Sequence, residues 1–115
     1  MKKSFKVETM FGTETCMMSA SKYADNRHIA LQLWCEDGPF ATLTVYLKET
    51  RKQPPECVFI DTNNCPWAES LIKRLKLGVH TGKYAHSGFC SYPLYELDIS
   101  KLSEITGQSV EYLMK

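Results

Sequence analysis

The stretch IALQLWCEDGPFATLTVYL, residues 29–47, decides the fold. Ile29, Leu31, Leu33 and Cys35 fall on alternate positions, and so do Ala41, Leu43, Val45 and Leu47. A period of two marks strands with one buried face. Glu36-Asp37-Gly38 lies between them, with Gly38 where a three-residue hairpin loop needs its left-handed residue. That loop pairs Leu33 with Ala41, Leu31 with Leu43 and Ile29 with Val45. A two-residue loop would send the two apolar sets to opposite faces. The other face sets His28, Ala30, Gln32 and Trp34 against Tyr46, Thr44, Thr42 and Phe40, with Trp34 and Phe40 paired at one end. It reads as a solvated face or as a partner-binding one.

Working toward the N-terminus, Phe5 and Val7 alternate with Lys6 and Glu8, again a half-buried strand. Gly12-Thr13 suits a type II′ turn, which would set Val7 opposite Met18 and Phe5 opposite Ala20. Asp25-Asn26 tolerates positive φ and makes the next turn. It would set Ala20 opposite Leu31 and Met18 opposite Leu33.

Toward the C-terminus, residues 48–56 are polar and contain Pro54-Pro55, a surface loop. Cys57-Val58-Phe59-Ile60 is a continuous apolar strand, interior to the sheet. Asp61-Thr62-Asn63-Asn64 ends it and offers side chains to cap free helix N–H groups, and Pro66 fits a first helical turn. Trp67, Ala68, Leu71, Ile72 and Leu75 form a stripe at 3.6 spacing. The expected helix is 66–77, with Lys73, Arg74 and Lys76 suited to its C-terminal dipole and Gly78 as its cap. Residues 78–92 read as a long loop and 94–98 as a last strand. Ser100 would cap a short helix through Ile105, ending at Gly107. The tail, 108–115, has no clear assignment. The expectation is a single α+β domain over 1–115: an antiparallel β-meander sheet of five to six strands, one main helix on one face, and a short C-terminal helix.

Composition bounds the function classes. The chain has 115 residues, 43% apolar and 23% charged, with a formal net charge of +1, ordinary for a globular domain. Near-neutral charge gives no bias toward nucleic acid. No apolar run reaches the ~20 residues of a membrane span, and Met1-Lys2-Lys3 is followed by no apolar leader stretch. The expected setting is cytoplasmic. Five cysteines, with no C-x-x-C pair, read mainly as small buried hydrophobes.

The segment GVHTGKYAHSGFCSY, residues 78–92, draws attention as a loop that packing does not require. His80, His86 and Cys90 have metal-ligand chemistry, but their spacing is loose and no further ligand is near in sequence except Cys65 by tertiary contact. Cys90 with His86, or Cys65 at a helix start with His80, could form an activated thiol. Gly82-Lys83 follows a helix instead of preceding one, the reverse of a phosphate loop. Lys83, Tyr84, His86, Phe89 and Tyr92 interleave basic and aromatic groups that could stack single-stranded bases. LSEITGQSVEYL, residues 102–113, is too short in its second half for a helix-turn-helix. No catalytic set, metal site or cofactor is assigned. The candidate binding residues are Asp61, Asn63, Asn64, Lys83, Tyr84, His86, Ser87 and Tyr92.

The run 59–64, the helix after it, Thr81-Gly82-Lys83, and 87–95 (SGFCSYPLY) together resemble a family of small uncharacterised proteins carried on conjugative and integrative elements of Gram-positive gut bacteria. The resemblance covers 57–102. It implies a bacterial mobile-element setting and brings no reaction, cofactor or catalytic residue. The expected role is a non-enzymatic accessory protein acting through protein–protein contacts. One alternative is a small enzyme or ligand binder with a pocket around Asp61, Lys83, His86 and Cys90. Another is single-stranded nucleic-acid binding, which ranks below protein. Oligomeric state is left open.

Overall fold

Eight antiparallel strands and three α-helices make up the structure, a computed structural model that describes residues 2–114. Met1 and Lys115, the ends of the expected domain and tail, lie outside the described residues. The strands form two four-stranded sheets, so the expected single meander of five to six strands is corrected. The first sheet runs in order β1 (Ser4–Thr9), β2 (Gly12–Lys22), β3 (Ile29–Cys35), β4 (Gly38–Thr42). The second has the order β5 (Thr44–Val45), β6 (Cys57–Ile60), β8 (Cys90–Leu97), β7 (Gly78–Ser87).

The central register holds where the alternation is cleanest. Met18 pairs with Leu33 and Ala20 with Leu31, as expected. Asn26 takes a positive φ of 57° in the intervening turn. Leu33 pairs with Ala41, but through a different device. Cys35 pairs with Gly38 across a two-residue turn, and Phe40 is an extra residue bulged out of β4. The bulge restores the face that a two-residue turn alone would reverse. It also breaks the expected Trp34–Phe40 pair: Trp34 lies opposite Pro39 and donates to Ser19 Oγ at 2.8 Å.

The strand then changes sheets. Leu43 N still donates to Leu31 O at 2.9 Å, but Val45 pairs with Phe59 and not with Ile29. Thr44 makes the exit possible. Its Oγ1 accepts Leu31 N at 3.3 Å and bonds the Tyr23 hydroxyl at 2.6 Å, replacing lost ladder bonds. His28, expected on the open face, is fully buried. Residues 48–56 begin with a 3₁₀ turn, Lys48–Lys52, that buries Thr50.

The first hairpin slides by four residues from the expected register. Thr9 pairs with Gly12, the turn is Met10-Phe11, and Val7 faces Glu14 while Phe5 faces Cys16. The even slide keeps the same residues on the core face, so Val7, Cys16, Met18 and Ala20 are all buried.

Helix α1 (Ala68–Leu75) buries Ala68, Leu71 and Ile72 as the stripe requires, worth about 2 kcal/mol for each of the two larger side chains. It is shorter than 66–77. Lys76, in the left-handed conformation at φ 55°, caps it instead of Gly78. Gly78 starts β7, where a Cβ would sit 2.6 Å from the Glu96 carbonyl oxygen. Helix α2 (Ile99–Thr106) is capped by Asp98, whose carboxylate accepts Lys101 N at 3.0 Å, not by Ser100; Gly107 ends it as expected. The tail forms α3 (Val110–Met114), anchored by buried Leu113. One core joins the inner faces of both sheets to all three helices. A second, of Cys57, Phe59, Ala85, Tyr92 and Leu94, lies on the far face of the second sheet.

Candidate functional site

The segment 78–92 is not a loop. It is β7, a two-residue turn at Gly88-Phe89, and the start of β8. A register shift between His80 and Tyr84, with Gly82 at φ 88°, bulges the strand. Gly82 N donates to His80 Nδ1 at 2.8 Å, and His80 Nε2 lies 3.1 Å from the Tyr84 hydroxyl.

Strand alternation separates the candidate residues here. Ala85 lies opposite Tyr92, on the face of the second core, where Lys83 places its charge near Cys57. Tyr84 and His86 turn to the other face, His86 Nδ1 bonding Ser91 Oγ at 2.7 Å. Ser87 lies opposite Cys90 at the hairpin end. Tyr92 is a buried core residue. Lys83 and His86 therefore do not converge on one pocket with Asp61.

Asp61 and Asn64 belong elsewhere. Asp61 Oδ1 accepts Asn64 N at 3.2 Å and Oδ2 accepts Asn64 Nδ2 at 2.9 Å. They close their own turn and do not cap α1, which has no side-chain cap. Asn63 is exposed beside them. The activated-thiol reading of Cys65 is corrected too. Burial first, then the charge of Asp61, pushes its thiol up to about 11, the wrong direction for a nucleophile. Its Sγ sits 3.5 Å from the Thr42 carbonyl oxygen. Among the described residues, no three His, Cys, Asp or Glu side chains group closely enough to hold a metal.

Asp61 and Asn64 line a cleft of 710 Å³ between the β1–β2 tip, β4 and the entry to α1. Met10 and Phe11 reach it from the tip, Phe40 from the bulge, and Trp67 from the residue before α1. Phe40 and Trp67 pack with ring centroids 5.9 Å apart. Met10 and Phe11 are 87% and 93% exposed. Hairpin turns favour Asn, Asp and Gly, so folding does not account for two large apolar residues there. Among the described residues, the charged side chains in the lining are Glu14 and Asp61, with no Lys or Arg. The signal that marks this site in the sequence is Met10-Phe11, an apolar pair inside a turn.

A second feature is a groove of 850 Å³ between α1 and β7. There the Tyr95 hydroxyl donates to Glu69 Oε2 at 2.5 Å, and His80 packs on Tyr95 at 5.1 Å. Burial, then the bond to Glu69 and its charge, hold the Tyr95 hydroxyl well above the usual tyrosine range. The hydroxyl is thus a fixed donor that ties α1 to the sheet.

This architecture defines a small mixed α/β protein of two antiparallel sheets, with an open apolar cleft at one end. The chain belongs to the family described as Domain of unknown function (DUF4313), whose profile matches residues 17–115. The match is wider than the 57–102 resemblance and begins within β2, after the Met10-Phe11 tip. No curated protein and no solved structure matches the chain. Among the described residues, no helix is long and apolar enough to cross a membrane.

Proposed function

We propose that the chain is a non-enzymatic binding module whose cleft takes a partner protein segment bearing an aromatic or large aliphatic side chain beside a Lys or Arg. The observation that carries this reading is the bare Met10-Phe11 tip facing a cleft whose charges are all carboxylates. Apolar walls supply the affinity and the acidic lining selects the sign of the partner. The same lining repels a phosphate backbone, which favours protein over single-stranded nucleic acid. A reaction centred on Asp61, Lys83, His86 and Cys90 draws no support, because Lys83 and His86 project from opposite faces of β7. The mobile-element setting, as an accessory protein of a bacterial transferable element, follows from the resemblance over 57–102.

Selection of random displayed peptides against the full chain tests this. Enriched peptides should carry an aromatic or aliphatic residue close to a Lys or Arg. Their affinity should fall at least about tenfold, or ~1.4 kcal/mol, in Phe11→Ser and in Asp61→Lys. It should be unchanged in Lys83→Glu and Tyr84→Ala. Enrichment of acidic peptides would overturn the reading. So would binding that is lost in Lys83→Glu and Tyr84→Ala but kept in the cleft variants, an outcome that returns the site to β7.

A further inference from the structure

The β2–β3 ladder ends at Met17–Trp34, and extending its register by one step sets Cys16 opposite Cys35, which is near enough to help raise the Cys16 thiol. Both residues belong to their strands and pack into the same core. The type of pair follows from the backbone. Gln108 Oε1 accepts Ala20 N at 2.8 Å, and its Nε2 donates to Ala20 O at 2.8 Å. The polar groups of Ala20 therefore turn away from β3, and Ala20–Leu31 is a non-hydrogen-bonded pair. Leu31 agrees, since its carbonyl accepts Leu43 N on the opposite side. Pair types alternate along an antiparallel ladder, so Met18–Leu33 and then Cys16–Cys35 are of the same narrow kind. Such pairs hold their Cα atoms about 4.5 Å apart, inside the ~4.4–6.8 Å window that a disulfide spans.

The other cysteines lack this relationship. Cys57 lies opposite Glu96, Cys90 opposite Ser87, and Cys65 precedes α1. Access is also graded within the pair. Cys16 is 1% exposed, whereas Cys35 is partly exposed at the end of β3.

We propose that Cys16 and Cys35 are a modification site, a cross-strand dithiol that a small-molecule disulfide oxidises to an intramolecular disulfide. The Cys35 thiolate attacks one sulfur of the small disulfide, forming a mixed disulfide and releasing one thiolate. Cys16, its proton passed to solvent, then attacks the Cys35 sulfur and displaces the second small thiol. The protein gives up two electrons and two protons, and the small disulfide is reduced to two thiols. Burial, then Cys35 and Glu14, raise the Cys16 thiol above its ordinary value, which makes it the slower, second partner. The bond staples β2 to β3 at the row where Cys16 also pairs with Phe5 of β1, along the hairpin that carries the Met10-Phe11 tip. The inference does not depend on what occupies the cleft.

The test uses the full native chain with excess oxidised glutathione, followed by trypsin digestion without reductant and mass spectrometry. Lys22 and Arg27 separate the two cysteines into different peptides. The expected product is a Cys16–Cys35 cross-linked peptide that dithiothreitol cleaves, with loss of both thiols and a raised urea midpoint. Cys16→Ala should stop at the mixed disulfide on Cys35, and Cys35→Ala should leave Cys16 unreacted. A native chain that keeps glutathione on Cys35 with Cys16 free, that cross-links other cysteines, or that shows no oxidised species would overturn the proposal.

Discussion

The Nδ1 of His28 lies 2.5 Å from the Oδ2 of Asp25, and the ring is fully buried. Its Nε2 is 2.7 Å from the carbonyl oxygen of Gln53, a group that can only accept. The Tyr46 hydroxyl donates to the same Oδ2 at 2.9 Å. Asp25 Oδ1 accepts Arg27 N at 2.9 Å and His28 N at 3.0 Å. The Gln53 carbonyl requires a proton on Nε2, and one further proton serves the contact between Nδ1 and the Asp25 carboxylate. The pair thereby ties the β2–β3 turn to the segment after the 3₁₀ turn.

Replacing Asp25 by Asn removes a carboxylate that accepts from two backbone N–H groups and the Tyr46 hydroxyl and contacts the buried His28 ring, and should cost about 2–3 kcal/mol. Burial opposes the charge on Asp25. The N–H groups of His28 and Arg27, then the His28 ring and the Tyr46 hydroxyl, overcome it and hold the carboxyl well below the usual range. A folded value below the unfolded one gives stability that is complete above about pH 5. That stability is lost as pH falls through roughly 4 and below. Urea titrations at neutral pH and near pH 3 should show the gap between wild type and Asp25→Asn narrowing in acid. A gap independent of pH would remove the ionised Asp25 carboxylate from the account.

The side chain of Gln108 completes the edge of the first sheet where β1 has ended, pairing both polar groups of Ala20. Gln108→Ala should cost about 1–2 kcal/mol. Hydrogen exchange at the Ala20 amide should accelerate by more than the global loss of stability accounts for. Equal acceleration at all core amides would mean that Gln108 does not act locally.

Gly78 is required by contact and not by conformation, since a Cβ there would meet the Glu96 carbonyl oxygen at 2.6 Å. Gly78→Ala should destabilise by about 1–3 kcal/mol, as overpacking does. A thermal melt settles it, because a neutral result would require β7 to move away from β8 without penalty.

Sequence legibility follows how local the cause is. The strand 29–35, its pairing through Met18–Leu33 and Leu33–Ala41, the apolar run 57–60 and the α1 stripe are written in short-range periodicity, and all form. The strand β7 was hidden because it is an edge. Of its ten residues only Ala85 is buried, so no alternating apolar face marks it. Its order comes from β8, which buries residues on both faces. The change of sheet at Leu43 was equally silent, since alternation runs on unbroken to Leu47. Of the cleft, Asp61 and Asn64 are legible as polar residues after a strand. Phe40 and Trp67 meet them only by tertiary folding.

Phe11 and Trp67 line the same cleft but stand on different footings. Phe11 is almost wholly exposed, whereas Trp67 packs on Phe40 and the main core. Phe11→Ser should therefore leave stability within about 0.5 kcal/mol of wild type. Trp67→Ala should lose about 2 kcal/mol, through packing and the aromatic contact. A residue kept for folding would show its effect in the urea midpoint, and one kept for recognition would not. If Phe11→Ser lowers the midpoint as far as Trp67→Ala does, the tip is a structural element and the cleft loses its strongest argument. If it leaves the midpoint alone and weakens peptide binding, the exposed ring has no role left except contact with a partner.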